Sequence, residues 1–171
     1  MFSVVFPGQG SQEVGMGKFF YERYDLVKNY FKEADESLNF PISKLILEGP
    51  KSELDLTFNT QPAIFLISYS IFNVIKKEFN IDLNKADFFA GHSLGEYTAL
   101  SCAGYIKFSD TIKILKLRGE AMQNSVPKGI GGMIAILATT LKKVEDIISS
   151  NNKSCNVQIA NDNSEGQIVV S

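Results

Sequence analysis

Phe88-Phe89-Ala90-Gly91-His92-Ser93-Leu94-Gly95-Glu96-Tyr97 reads as a short apolar strand, a tight turn and the start of a helix. Gly91 to Gly95 matches G-x-S-x-G, and the strand before it and the helix pattern from Gly95 to Ala103 supply the context that motif requires. The glycines are needed sterically. A serine on a sharp strand-to-helix turn has strained backbone, and side chains two positions either side would collide with neighbouring elements. Such a turn lifts the Ser93 hydroxyl clear of the sheet, at the positive end of the helix dipole, and places the Leu94 amide to donate to an oxyanion. The bare pattern also fits a glycine-rich turn carrying an incidental serine.

Outward from that turn, the chain reads as α/β. Ser3 to Phe6 is a buried strand stopped by Pro7-Gly8-Gln9-Gly10. Met16 to Leu38 forms one or two helices, and Ile42 to Glu48 continues them up to Gly49-Pro50. Thr60 caps a helix that starts at Gln61, holds Pro62 in its first turn and is apolar nearly all round up to Lys76-Lys77, hence buried. Ser109 caps a further helix from Asp110 to about Gln123. Lys128-Gly129-Ile130-Gly131-Gly132 reads as a linker. Beyond it come a strand from Met133 to Ala138, a helix capped by Thr140, and strands at Asn156–Ala160 and Gln167–Val170. This β-α-β-β order predicts a second, smaller unit, with domains at 1–127 and 128–171.

Composition narrows the function classes. The chain has 171 residues, 44% of them hydrophobic and 21% charged, with 17 Lys plus Arg against 19 Asp plus Glu, a net charge of −2. That is enough apolar side chain for a core, which excludes overall disorder, and too little basic charge for nucleic-acid binding. Cys102 and Cys155 show neither CxxC spacing nor Cys/His clustering, so neither a disulfide scaffold nor a metal site is expected. No basic leader and no membrane-length apolar run are seen, and the expected location is cytoplasmic.

Longer segments resolve the ambiguity at Ser93. Gly91-His92-Ser93-Leu94-Gly95-Glu96-Tyr97 and Phe6-Pro7-Gly8-Gln9-Gly10-Ser11-Gln12 together resemble the malonyl-CoA:acyl-carrier-protein transacylases of fatty-acid synthesis and the related acyltransferase domains of polyketide synthases. Thr60-Gln61-Pro62-Ala63, Arg118-Gly119, Met122-Gln123, Gly132-Met133-Ile134-Ala135-Ile136, Asn161-Asp162-Asn163 and Gln167-Ile168-Val169 follow in family order along essentially the whole chain. The resemblance implies an α/β-hydrolase-like core with an inserted ferredoxin-like small subdomain, both incomplete at the C-terminus. It implies that Ser93 takes the acyl group from malonyl-CoA as an ester, that the amides of Gln9 and Leu94 form the oxyanion hole, and that Arg118 clamps the malonyl carboxylate. A planar guanidinium suits that task because it offers two parallel donors and stays charged when partly buried. Acyl carrier protein is the implied partner; no cofactor, metal, nucleic acid or membrane is. Asn161 and Asn163 are turn formers, or line the same cleft.

His92 is expected to be a packed, hydrogen-bonded structural residue, because neighbours in a sharp turn point to different sides. Family members supply their catalytic histidine from a later segment, and His92 is this chain's single histidine. The chain therefore reads as the N-terminal part of a transacylase, without its general base. Two other readings stay open: a serine hydrolase or thioesterase on the same elbow, and a non-catalytic fragment in which an unpaired strand edge at 167–171 invites another chain. Lys107, Lys113, Lys116, Lys142 and Lys143 read as solvated helix faces, or as a basic surface for an acidic carrier.

Overall fold

The two apolar runs that flank the glycine turns pair with each other. In the computed structural model, which describes residues 1–125, 130–151 and 156–171, β1 (Ser3–Phe6) lies parallel to β2 (Phe88–Gly91), with Phe6 opposite Gly91. Parallel strands require a long crossover, and the intervening chain provides it as helices. These are α1 (Lys18–Arg23), α2 (Asp25–Leu38), α3 (Ile42–Glu48), α4 (Lys51–Leu54) and α5 (Thr57–Glu78). A short 3-10 turn at Leu83–Lys85 precedes β2, and α6 (Leu94–Cys102) and α7 (Phe108–Asn124) follow it.

β1, expected to be a buried strand, is buried on one face only. Strand residues alternate sides, so Phe6 packs with Phe72, Ala99 and Cys102 while Val5 (72%) and Phe88 (67%) remain exposed on the opposite face. An apolar groove of 510 Å³ runs between β1 and α5, lined by residues such as Val4, Ile64, Ile71 and Phe72. The main core lies among the helices, around Phe31, Ile46, Phe65, Leu66, Ile112 and Leu115. Leu94, the first residue of α6, belongs to that core. The start of the helix behind Ser93 is thus anchored by burial.

Two helix starts lie earlier than expected. α5 begins at Thr57 with Leu56 as its non-capping N-cap, so Thr60 sits inside the helix. Its hydroxyl, fully buried, donates to the Leu54 carbonyl at 2.6 Å. α7 begins at Phe108, which is buried, with Lys107 as N-cap; Ser109 lies within its first turn. In both cases tertiary contacts override the local capping signal. α5 is buried along much of its length, as its composition predicts.

The chain divides into two compact units, Met1–Ser125 and Val126–Ser171. The expected boundary between 127 and 128, like Cys155, falls outside the described residues. The second unit contains β3 (Ile134–Leu137), α8 (Leu141–Asn151), β4 (Ile159–Ser164) and β5 (Gln167–Val170), in the expected order. The Lys143 amide donates to Thr140 Oγ1 at 3.4 Å, the capping role predicted for Thr140. Two expectations are corrected. β4 starts at Ile159 rather than Asn156 and runs through Asn161, which pairs with Val169, and Asn163, which sits at a register irregularity between Asp162 and Ser164; both are strand residues and not turn formers. β5 is the middle strand, antiparallel to both β3 and β4, so its edges are already paired. β3 pairs with it in unbroken register and β4 with two register shifts, and Ser171 exchanges two further backbone bonds with Gln158.

Among the described residues no helix is long and apolar enough to cross a membrane, and no group of three or more His, Cys, Asp or Glu could hold a metal ion.

Candidate active site

β2 delivers the chain to Gly91, and the turn that follows is as crowded as its sequence suggests. A Cβ on Gly91 would overlap the backbone carbonyl of Gly95, and one on Gly95 would lie 2.6 Å from the Phe6 oxygen and 2.8 Å from the Pro7 oxygen. The end of β1 is thereby pressed against the first turn of α6, and the His92 amide donates to the Phe6 carbonyl at 3.2 Å. Ser93 takes φ 55° and ψ −111°. This conformation costs a residue with a Cβ on the order of 1–3 kcal/mol and persists only where the surroundings enforce it.

The strain has a consequence for the hydroxyl. Ser93 occupies the N-cap of α6, where a serine in extended conformation would use its oxygen to bond the helix amides, yet it makes no side-chain cap. Its Oγ instead accepts a hydrogen bond from Arg118 Nη2 at 3.1 Å. The Leu94 amide, first of α6, has no acceptor within the helix and remains a donor at the turn.

The loop after β1 is braced on itself and on the helices. Gly10, at φ +113°, donates its amide to Gln12 Oε1 at 2.9 Å, and Gln12 Nε2 donates to Asp55 Oδ1 at 3.0 Å. Gln9 Nε2 reaches Thr57 Oγ1 at 3.5 Å, at the start of α5. Hydrogen bonding from Lys51, then from Gln12, holds the Asp55 carboxyl below its ordinary range. The His92 ring lies against Gly8, whose added Cβ would overlap Nδ1. The residue as a whole is exposed, so it is packed on one side only.

Arg118 comes from α7, which approaches α5 very closely. A Cβ on Gly119 would overlap Phe58 Cα and lie 2.8 Å from the Thr57 oxygen. Across that contact Arg118 Nη1 donates to Gln61 Oε1 at 2.7 Å, and its guanidinium lies over the Tyr97 ring at 5.7 Å. Gln61 in turn donates from Nε2 to Met122 Sδ at 3.3 Å. Two residues earlier on α7, Lys116 is half-buried, donates to Asn59 Oδ1 at 3.0 Å and sits over the rings of Phe58 and Phe40. Burial holds its pKa below the ordinary lysine value. Lys116 is therefore not part of a solvated face, whereas Lys107, Lys113, Lys142 and Lys143 are exposed.

Sequence reading missed Gln61 and Tyr97 as members of this site. A signal for Gln61 existed: it is a polar residue immediately before the apolar run Pro62–Ile67 of a helix expected to be buried, and a buried carboxamide must find partners. Its partner, however, lies 57 positions away. Asn161 and Asn163 belong to β4 of the second unit, where Asn163 Nδ2 donates to Gln167 Oε1 at 3.2 Å.

The family model described as acyl transferase domain matches residues 3–171. The malonyl CoA-acyl carrier protein transacylase of Bacillus subtilis (strain 168) is 47% identical over 170 residues, which cover 98% of this chain and 52% of that protein. A crystal structure of an acyl-carrier-protein S-malonyltransferase from Bartonella henselae superposes with a TM-score of 0.93 at 42% identity, covering 99% of this chain and 55% of that one. A malonyl-transacylase in complex with its type II PKS acyl-carrier protein matches with a TM-score of 0.90 at 37% identity, over 99% of this chain and 54% of that one. The chain thus spans about half the length of the relatives it matches.

Proposed function

Because the chain belongs to the acyl transferase domain family, we propose that it carries the nucleophile, oxyanion hole and carboxylate clamp of an [acyl-carrier-protein] S-malonyltransferase of fatty-acid synthesis. Ser93 Oγ attacks the thioester carbonyl of malonyl-CoA as its proton passes to a base. The carbonyl oxygen gains negative charge facing the amides of Gln9 and Leu94. The C–S bond breaks, coenzyme A leaves as the thiol after taking up a proton, and a malonyl ester remains on Ser93. The phosphopantetheine thiol of acyl carrier protein then attacks that ester and Ser93 recovers its proton. The exchange is redox-neutral, and coenzyme A and the carrier arm are substrates, so the chemistry calls for no cofactor.

The observation that carries this reading is the 3.1 Å contact between Arg118 Nη2 and Ser93 Oγ. A permanent cation beside the nucleophile puts a carboxylate-bearing acyl group within reach of a charge-assisted pair. That cation argues against a hydrolase or thioesterase for neutral acyl groups on the same elbow.

The fold reading that accompanies it is an α/β-hydrolase-like core over 1–127, which holds β1, β2 and the elbow, followed over 128–171 by the start of a ferredoxin-like subdomain. Exposed apolar residues on both sheets, such as Val5 and Ile134, support further cover from the rest of the family domain. We assign the base that takes the Ser93 proton to that remainder. General-base assistance contributes typically about 10²–10⁴-fold, so the 171-residue chain alone turns over very slowly. The reaction moves an acyl group from coenzyme A to a carrier protein, which suits the cytoplasm.

Labelled malonyl-CoA, incubated with a form extended to the length of the relatives, should leave its malonyl group on Ser93, as mapped by peptide mass spectrometry. Label on another residue, or label persisting in Ser93→Ala, overturns the assignment.

A further inference from the structure

Gln61 reaches Ser93 only through Arg118, which bonds both, and its chemistry suggests what it does there. It is fully buried on α5 and its two ends have different partners: Oε1 accepts from Arg118 Nη1 at 2.7 Å, and Nε2 donates to Met122 Sδ at 3.3 Å. A guanidinium has donors only, so a flipped carboxamide would set donor against donor. The orientation is therefore determined. Arg118 has no carboxylate within ion-pair distance among the described residues. The neighbouring rung repeats the pattern, since Lys116 is held by the carboxamide of Asn59. At both positions α5 meets a cation of α7 with a neutral acceptor.

We propose that Gln61 is a positioning residue that sets acyl specificity: its uncharged carboxamide aims the Arg118 guanidinium at Ser93 and leaves the positive charge unspent for a substrate carboxylate. This rests on the acyl-transfer reading above. A carboxamide oxygen engages one edge of the guanidinium, leaving the other Nη at Ser93 Oγ, where the acyl group arrives. A glutamate in the same place would form a charge-assisted pair with Arg118. That internal carboxylate would then compete with the malonyl carboxylate for the same cation. An acetyl group, which has no carboxylate, would feel the change far less. Because Gln61 and Glu have nearly the same shape, Gln61→Glu separates charge from packing.

The experiment compares Gln61→Glu and Gln61→Ala with wild type, using malonyl-CoA and acetyl-CoA as donors in a form extended to the length of the relatives. Gln61→Glu should lower malonyl kcat/KM about a hundredfold, the cost of a misplaced or occupied clamp, mainly through KM. Acetyl transfer should fall much less, and in an Arg118→Ala background Gln61→Glu should add nothing. Equal losses for both donors, or no loss, overturn the proposal. A second readout is independent of turnover: in the 171-residue chain, arginine-selective nitrogen-15 NMR should show a slowly rotating Arg118 Nη group in wild type and Gln61→Glu, and a freely rotating one in Gln61→Ala. An Arg118 signal unaffected by Gln61→Ala also overturns it. A wild-type enzyme that transfers neither acyl group would sink the acyl-transfer reading instead, and the NMR comparison would still decide whether Gln61 positions Arg118.

Discussion

Met1–Ser125 and Val126–Ser171 hold their shapes in different ways. The first unit surrounds a cluster of fully buried large side chains, including Phe31, Phe65, Leu66 and Ile112. In the second, Val144 and Ile168 are the buried hydrophobics among the described residues, while Met133, Ile134, Leu137 and Ile147 are each more than half exposed. Its order comes chiefly from the antiparallel ladders on both sides of β5. A unit of this size buries too little apolar surface to be robust on its own. The strained elbow therefore resides where packing is dense enough to enforce φ 55° at Ser93.

The contrast can be broken by deleting side chains. Phe65→Ala should destabilise the first unit by about 3–5 kcal/mol, because Phe65 is fully buried and stacks on Phe108 at 5.3 Å. Denaturant unfolding followed by tyrosine fluorescence would measure it, and a cost under about 1 kcal/mol would mean the cluster repacks. Ile168→Ala should cost about 2–5 kcal/mol, but the loss should appear locally. Hydrogen exchange should show lost amide protection in β3, β4 and β5 with α5 and α7 unchanged; equal loss in both units would show that they unfold as one.

Smaller changes test how tightly the elbow's surroundings are fitted. Gly119→Ala should cost about 1–3 kcal/mol as an overpacking change, because its methyl meets Phe58 backbone rather than a flexible side chain. It should also weaken malonyl transfer, since Arg118 and Gln61 face each other across that contact. Unchanged stability and transfer would mean that α5 and α7 can separate at no cost.

The smallest effect concerns the loop carrying Gln9. The folded state depresses the Asp55 carboxyl below its ordinary value of 3.8, so its contribution is present above that pH and lost as pH falls through the folded pKa. Asp55→Asn should accordingly lower the melting temperature slightly at about pH 6, and its difference from wild type should narrow as the pH is lowered and the Asp55 carboxylate takes up its proton. A difference that persists at the lower pH would show that the loop depends on Asp55 for something other than its charge.

Elements with local causes were legible in the residues alone. The strand-turn-helix around Ser93 follows from glycines whose added Cβ atoms would strike backbone a few residues away or at the adjoining strand end. The β-α-β-β order of the second unit follows from alternation and a threonine cap that the Lys143 amide uses. Ser93, Arg118 and the loop containing Gln9 were likewise readable as motifs, but a motif has no distances.

Relations between distant segments needed the folded chain. Thr60 resembles a cap, yet burial of the first turn of α5 extends that helix to Thr57 and turns the hydroxyl toward Leu54. The final strand resembled an open edge because no further element follows it in the sequence, but both ladders close on β5 and place it centrally. Lys116 looked like a surface lysine until two aromatic rings and Asn59 enclosed it. Gln61 and Arg118 meet across 57 positions because Gly119 lets two helices approach to backbone contact. Propensity and periodicity act over a few residues, whereas the pairing of a neutral carboxamide with a cation beside the Ser93 hydroxyl depends on which helix faces meet, and packing sets that.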